Sequence, residues 1–309
     1  MKKNKKMEVP GGVWSATPTP FTDNMEVDTD SVKRMVDHHL RLGVKGLFLA
    51  GTCGEGAWMR DRDKRKLVQT AAKHAKGVMV LAVQVSDNSA YRILDNIHYA
   101  QDDGADIAVI APPFYLLNAT PRTILDLNLQ AIRESPLPVG IYDRGSLGAV
   151  VVPDSALKTI YAEENVVLVK DSSGQPGRRD IALAAKRKRP ELRLLDGDEF
   201  TCVEYLKAGF DGLLLGGGVF NGYLAGQVIR AVKEGDRARA EMLQRRMERI
   251  MYAVYGGKKF ACWLSGLKRL LVEMGIFRTW KSILGYPLTG GCVKAIQRVL
   301  QKDADVLLP

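Results

Sequence analysis

Short apolar runs alternate with longer stretches of helical periodicity from the start of the chain to about residue 235. The runs cover 13–17, 46–50, 78–83, 107–111, 139–142, 166–170, 192–195 and 212–215, roughly thirty residues apart. Runs of this length, rich in β-branched and aliphatic residues and bounded by turn residues, read as fully buried strands. Between them lie amphipathic helices. Val32, Met35, Val36, His39 and Leu40 form one face, opened by Asp30 or Ser31 and stopped at Gly43. Thr120-Pro121 supplies an N-cap and a first-turn proline ahead of Ile124, Leu127, Ala131 and Ile132, and Pro153-Asp154 opens the next helix.

Eight β-then-α units predict an α/β protein, a closed (β/α)8 TIM barrel over residues 13–235. An open doubly wound sheet is the alternative. It is weakened because Pro18-Thr19-Pro20 stands where a G-x-G-x-x-G would follow the first strand. Residues 236–309 exceed what eight units need. They carry helical patterns over 237–255, 261–274 and 293–302, a C-terminal helical extension. Residues 1–12 read as a basic N-terminal tail with no apolar core after it, so not as a signal peptide.

Composition narrows the class. The chain of 309 residues is 46% hydrophobic and 26% charged, an ordinary globular balance, and every apolar run is broken by charge before it reaches membrane-span length. Cys53, Cys202, Cys262 and Cys292 form no C-x-x-C pair and read as reduced thiols in a cytoplasmic protein. No histidine spacing suits a metal; His38 and His39 fall on a helix, where packing or surface roles are expected. Much of the net charge of +10 comes from the N-terminal lysines, Arg60 to Lys66, Lys186 to Arg189 and Arg237 to Arg249, the last three on helices or their ends. Solvated helix faces account for these runs, and no aromatic interleaving or nucleic-acid signature accompanies them. A small anionic substrate is the simpler partner; neither nucleic acid nor a membrane is implied.

The candidate chemistry sits at the strand ends, where a barrel of this kind carries its active site. Lys170 closes the run Val166-Val167-Leu168-Val169 and is followed by Asp171-Ser172-Ser173-Gly174. Burial at such a boundary disfavours an ammonium, and a neutral amine is what Schiff-base chemistry on a carbonyl requires. Taken alone, the segment reads as a snorkelling lysine. The other ends change that. Gly51-Thr52-Cys53-Gly54-Glu55-Gly56 follows the second strand, a loop whose amides can approach an anion. Phe114-Tyr115 follows the fourth, Tyr142-Asp143-Arg144 the fifth, Gly197-Asp198 the seventh and Gly216-Gly217-Gly218 the eighth. A lysine to attack a ketone, phenols to move protons and an amide-rich loop to hold a carboxylate make one coherent set.

These motifs make the chain resemble the dihydrodipicolinate synthase / N-acetylneuraminate lyase family of class I, Schiff-base-forming pyruvate aldolases, from about Val13 through the extension. Gly51-Thr52-Cys53-Gly54-Glu55 is similar to the family's G-T-T-G-E loop, and Lys170-Asp171-Ser172-Ser173-Gly174 to the K-D-S-S-G of sugar-acid members. The resemblance implies that Lys170 forms an imine with a 2-oxo acid, with no metal or other cofactor. It implies that Tyr142 moves protons at the imine and the substrate hydroxyl. Thr52 relays to Tyr142 and to Tyr115, a tyrosine that family members lend across a dimer interface, so a homodimer or homotetramer is expected. Gly51, Thr52, Cys53, Arg144, Gly197, Asp198 and Gly217 are the expected substrate-binding positions. Asp171 is expected to be structural, since successive strand residues face opposite ways.

Three departures set the expected specificity. Cys53 stands where the family has a second threonine, and reads as a small buried residue more readily than as a reactive thiol. Synthase members carry an arginine five positions after the tyrosine, where this chain has Leu147; its arginine is Arg144, as in the Y-N-R of sugar-acid dehydratases. Arg144 can reach the distal part of a substrate or form an ion pair with Asp143 or a neighbouring loop. Gly216-Gly217-Gly218 replaces a serine-containing loop and leaves more room. The expected activity is retro-aldol cleavage of a 2-oxo-3-deoxy sugar acid to pyruvate and an aldehyde. Dehydration of such an acid comes next, then 4-hydroxy-tetrahydrodipicolinate (dihydrodipicolinate) synthase activity. A non-catalytic 2-oxo-acid-binding barrel is the reading from another class.

Overall fold

A computed structural model describes residues 8–117 and 119–308. Eight parallel strands close into a barrel in sequence order, β1 pairing with β8. The strands are β1 (Gly12–Ala16), β2 (Gly46–Leu49), β3 (Val80–Gln84), β4 (Ile107–Ile110), β5 (Val139–Asp143), β6 (Val166–Asp171), β7 (Arg193–Asp196) and β8 (Gly212–Leu215). Helices α1 (Thr29–Arg41), α2 (Asp61–Ala75), α3 (Ala90–Asp102), α4 (Pro121–Glu134), α5 (Asp154–Ile160), α6 (Pro176–Lys188), α7 (Cys202–Ala208) and α8 (Gly218–Lys233) follow them in turn. Four more complete the chain: α9 (Arg237–Val254), α10 (Trp263–Glu273), α11 (Gly290–Lys302) and α12 (Ala304–Leu307). The apolar runs are strands because both of their faces are covered, by barrel filling on one side and helices on the other.

The barrel floor is filled by Trp14, fully buried and paired in register with Gly46, where an added Cβ would lie 2.4 Å from the indole ring. One large residue therefore occupies the space of two. Its Nε1 donates to the Pro10 carbonyl at 3.1 Å, Val9 is buried, and Arg193 Nε donates to the Val9 carbonyl at 2.7 Å. Residues 9–12 are thus part of the fold rather than of a tail; residues 1–7 lie outside the described part.

Helix α1 begins earlier than the apolar pattern suggests, because Asp28 caps it, accepting from the amides of Asp30 and Ser31. His38 and His39 are buried on its inner face. His38 Nε2 lies 2.8 Å from the Val219 carbonyl, and His39 Nε2 lies 2.8 Å from Ser15 Oγ. They dock α1 onto β1 and α8. Burial pushes their pKa values down to about 4 and about 3, so both are neutral near pH 7. The basic run ending α6 is only partly a solvated face, since Arg189 donates to the carbonyls of Tyr161, Glu163, Glu164 and Val166. Among the described residues no helix is long and apolar enough to cross a membrane.

Candidate active site

Tyr142 and Lys170 are register partners on β5 and β6, so the pairing that closes the barrel also sets phenol and amine side by side. Lys170 is 5% exposed, and its Nζ lies 4.3 Å from the ring centre of Tyr142 and 5.2 Å from that of Phe48. Phe48, on β2, meets Tyr142 edge-on with centroids 5.8 Å apart. Behind this pair, Asp143, Asp171 and Asp196 also stand in register, on the opposite face of the strands. Each turns its loop in the same way. Their Oδ1 atoms accept from the amides of Gly145, Ser173 and Asp198 at 2.9, 2.8 and 2.9 Å. Asp171 therefore has the structural place expected of it. Asp143 is held by Arg178 through two 2.8 Å bonds, which leaves Arg144 without the Asp143 partner that was one of its two expected roles.

A cavity of about 510 Å³ opens above Lys170 at the carboxyl ends of the strands. Of the expected residues, Lys170, Tyr142, Thr52, Cys53, Arg144, Gly197 and Asp198 line it. Three others do not. Gly51 lies against the Phe48 ring beneath the loop, where an added Cβ would come within 2.8 Å of it. The amide of Gly217 is occupied by Glu199 Oε1 at 2.8 Å, so it is not available as a substrate donor. Tyr115 is 63% exposed outside the cavity, on a loop with exposed Phe114 and Leu117.

Gly197 is required where it stands. An added Cβ would sit 2.6 Å from Lys170 Cε and 2.2 Å from Ser172 Oγ, so the lysine runs across bare backbone. The amides of Thr52 and Cys53 make no hydrogen bond among the described residues, although Cys53 is buried. Buried amides are rarely left unpaired, and a pair of them at a cavity wall suits a carboxylate. The Cys53 thiol is pushed up to about 12 by burial and by the Glu199 carboxylate, so it stays protonated near pH 7. It is packing, not a nucleophile. Tyr142 is shifted the other way. Burial raises its pKa, but the Lys170 ammonium, the Arg144 guanidinium and the hydroxyls of Thr52 and Ser172 outweigh burial and bring it below the usual phenol value.

The strand-end reading missed half of the wall. Glu199 and Phe200 lie one and two residues beyond Asp198, and continuing past β7 finds them; Ser172 and Ser173, named in the K-D-S-S-G motif but not among the expected site residues, line the cavity too. The extension supplies Met251, Tyr255, Lys259, Phe260, Trp263 and Tyr286, for which no local sequence signal exists. Among the described residues, no group of three or more His, Cys, Asp or Glu side chains is arranged to hold a metal ion.

An amine, a more acidic phenol and two unengaged amides at the mouth of a parallel barrel are the equipment of a lyase of the class I aldolase type. The comparisons agree. A model of the dihydrodipicolinate synthetase family matches residues 9–284, and the chain belongs to that family. It is 28% identical over 250 residues to a 4-hydroxy-tetrahydrodipicolinate synthase of Kosmotoga olearia, covering 79% of this chain and 83% of that protein. It is 26% identical over 281 residues to an N-acetylneuraminate lyase of Salmonella typhimurium, covering 89% and 86%. The crystal structure of dihydrodipicolinate synthase from Thermotoga maritima superposes with a TM-score of 0.86 at 22% identity, covering 96% of this chain and 99% of that one.

Proposed function

We infer that the chain is a Schiff-base lyase that cleaves a 2-oxo-3-deoxy sugar acid, or a similar hydroxylated 2-oxo acid, to pyruvate and an aldehyde. The place of Lys170 carries this reading: a buried amine against two aromatic rings, opening on a cavity far larger than a pyruvyl unit. The neutral amine adds to the C2 carbonyl and water leaves. The protonated imine then draws in the electrons of the C3–C4 bond, and the C4 oxygen becomes the aldehyde carbonyl. Protonation of the enamine at C3 and hydrolysis release pyruvate. The Thr52 and Cys53 amides suit the substrate carboxylate, and the imine needs no further cofactor. Borohydride added with pyruvate tests this: the native protein should gain one reduced three-carbon unit. No adduct with any 2-oxo acid would leave a non-catalytic binding barrel.

In this reading Tyr142, beside Lys170, moves the protons at the imine. Tyr142→Phe keeps the ring against Phe48 and removes only the hydroxyl. Turnover should fall by roughly 10²–10⁴ while a 2-oxo acid still binds, as a titration by intrinsic fluorescence would register. An unchanged kcat would move that role to another group. For Tyr115, exposed beyond the cavity, we infer a place in the neighbouring protomer's site; Tyr115→Phe should then have a milder effect, confined to the dimer.

The synthase activity of some relatives is disfavoured by Leu147, which lines the cavity and stands at the sequence offset from Tyr142 at which synthase members carry an arginine. Arg144 lines it too, and among the described residues its guanidinium makes no hydrogen bond or ion pair. If it meets the distal end of the substrate, Arg144→Ala should weaken transition-state binding of long polyhydroxy or dicarboxylic 2-oxo acids by about 1.5–3 kcal/mol in kcat/KM. The pyruvate adduct should be unaffected. Equal loss for both would make Arg144 a scaffold residue.

A further inference from the structure

The turn that joins α9 to α10 carries three left-handed residues. Gly256 and Gly257, at φ of 79° and 97°, adopt that conformation freely; Phe260, at 51°, does so against its own side chain. A glycine would serve the turn at less cost, so the position keeps its ring for another reason. The half-buried ring lines the cavity. It stacks on Tyr252, with centroids 6.0 Å apart and planes at 15°, and meets Tyr255 at 5.8 Å and Phe200 at 6.1 Å. Phe200, on the loop after β7, is held in turn from α9. Gln244 Nε2 donates to its carbonyl at 2.7 Å, and Gln244 Oε1 accepts from the Val203 amide at 2.9 Å. Phe200 is 36% exposed, and Leu147, 65% exposed, presents a third apolar side chain to the same cavity. None of the three has a hydrogen-bonding side-chain group. A hydroxyl brought against them loses its water without a replacement, whereas an apolar group removes both surfaces from water.

We propose that Phe260 and Phe200 hold an aryl group borne by C4 of the substrate, so that the protein joins pyruvate to aryl aldehydes, and cleaves the resulting 4-aryl-4-hydroxy-2-oxo acids, beside its hydroxylated substrates. The proposal rests on the lyase reading above and extends its range of aldehydes. An aryl group suits this wall because the rings of Phe200 and Tyr255 stand at 46° and 74° to that of Phe260, which offers a planar guest offset and edge-on contacts. In condensation, the enamine carbon C3 bonds to the aldehyde carbon and the carbonyl π electrons move to oxygen. That oxygen takes up a proton and becomes the C4 hydroxyl, in place of the proton that the pyruvate methyl carbon gave up. Water then hydrolyses the imine and frees Lys170, replacing the water lost when the imine formed. Cleavage runs the same steps backwards, and neither direction changes the overall redox state.

The wild-type protein should condense pyruvate with benzaldehyde at a kcat/KM no lower than with glycolaldehyde, and should cleave 4-hydroxy-2-oxo-4-phenylbutanoate back to its two halves. Phe260→Ala should lower the ratio of the benzaldehyde to the glycolaldehyde value by roughly tenfold, the scale of one lost ring contact and the area it covers. The loss should fall on the KM for benzaldehyde, since the ring touches no reacting atom. A pyruvate–borohydride adduct shows that the variant folds and forms the imine. One measurement needs no variant: 2-oxo-4-phenylbutanoate should inhibit the glycolaldehyde reaction of the wild type about tenfold more tightly than 2-oxobutanoate, and it decides the matter if Phe260→Ala does not fold. A wild type that forms the adduct and condenses glycolaldehyde but not benzaldehyde overturns the proposal and leaves the lyase reading standing. So does equal inhibition by the two acids. An unchanged ratio in Phe260→Ala also overturns it, and would confine these rings to packing on one another. A wild type with neither adduct nor condensation overturns the lyase reading itself.

Discussion

Lys170→Ala is expected to abolish the pyruvate–borohydride adduct and to lower turnover by on the order of 10⁶, the scale on which removal of a covalent nucleophile is felt. Two lysines line the cavity, and their surroundings differ. Lys259 is exposed at the rim. Lys170 is buried beneath the cavity floor and flanked by the Tyr142 and Phe48 rings, at the point where the Thr52 and Cys53 amides can hold a carboxylate. Mapping the adduct to the peptide that contains Lys170 distinguishes the two; an adduct on Lys259 would refute the assignment. Lys170→Arg makes the sharper control. It keeps the charge near Tyr142, but a guanidinium is not deprotonated in a protein and forms no imine, so this variant should be as inactive as the alanine. A Lys170→Arg protein with measurable imine would sink the mechanism.

The strands were legible because the barrel buries both of their faces, so most show as near-continuous apolar runs, with Ser15 and Arg193 the interruptions in β1 and β7. Their ends were less so. Strands β5, β6 and β7 each run one residue beyond the apolar stretch, to Asp143, Asp171 and Asp196. A carboxylate that accepts the amide two residues on extends the order past the last apolar side chain. Val78, read as the start of the third strand, is 60% exposed in the turn before it. Chain position alone predicts which residues crown a barrel strand, and that is why Lys170, Tyr142, Thr52 and Asp198 could be placed at one mouth. It says nothing about which part of a helical extension closes over that mouth. Tyr255, Phe260, Trp263 and Tyr286 reach the cavity through tertiary docking, and their helical patterns are those of ordinary packed helices.

That docking includes a wholly buried ion pair, whose removal should have the largest effect on stability. Glu55, in the loop that carries Thr52 and Cys53, and Lys268, on α10, form an ion pair with both side chains wholly buried. The Glu55 backbone is left-handed, at a φ of 59°, a conformation that costs free energy for a residue with a side chain. Its carboxylate is fully engaged: Oε1 takes Lys268, and Oε2 accepts from Ser282 Oγ at 2.8 Å and from the amides of Ile283 and Leu284 at 2.6 and 3.2 Å. Lys268 also donates to the Lys281 carbonyl at 2.8 Å and lies 4.5 Å from the ring centre of Phe21. The same contacts therefore fix the loop of Thr52 and Cys53 and the segment leading to Tyr286 at the cavity wall. Lys268→Met should destabilise the protein by about 3–5 kcal/mol, because it strands a buried carboxylate without its countercharge. Urea denaturation followed by tryptophan fluorescence would measure this. Glu55→Gln together with Lys268→Met should recover most of the loss, since the amide oxygen can still accept from Ser282, Ile283 and Leu284 and no charge is left unpaired. Losses that merely add in the double variant would mean that the two residues act separately and that the extension is held by its apolar contacts alone.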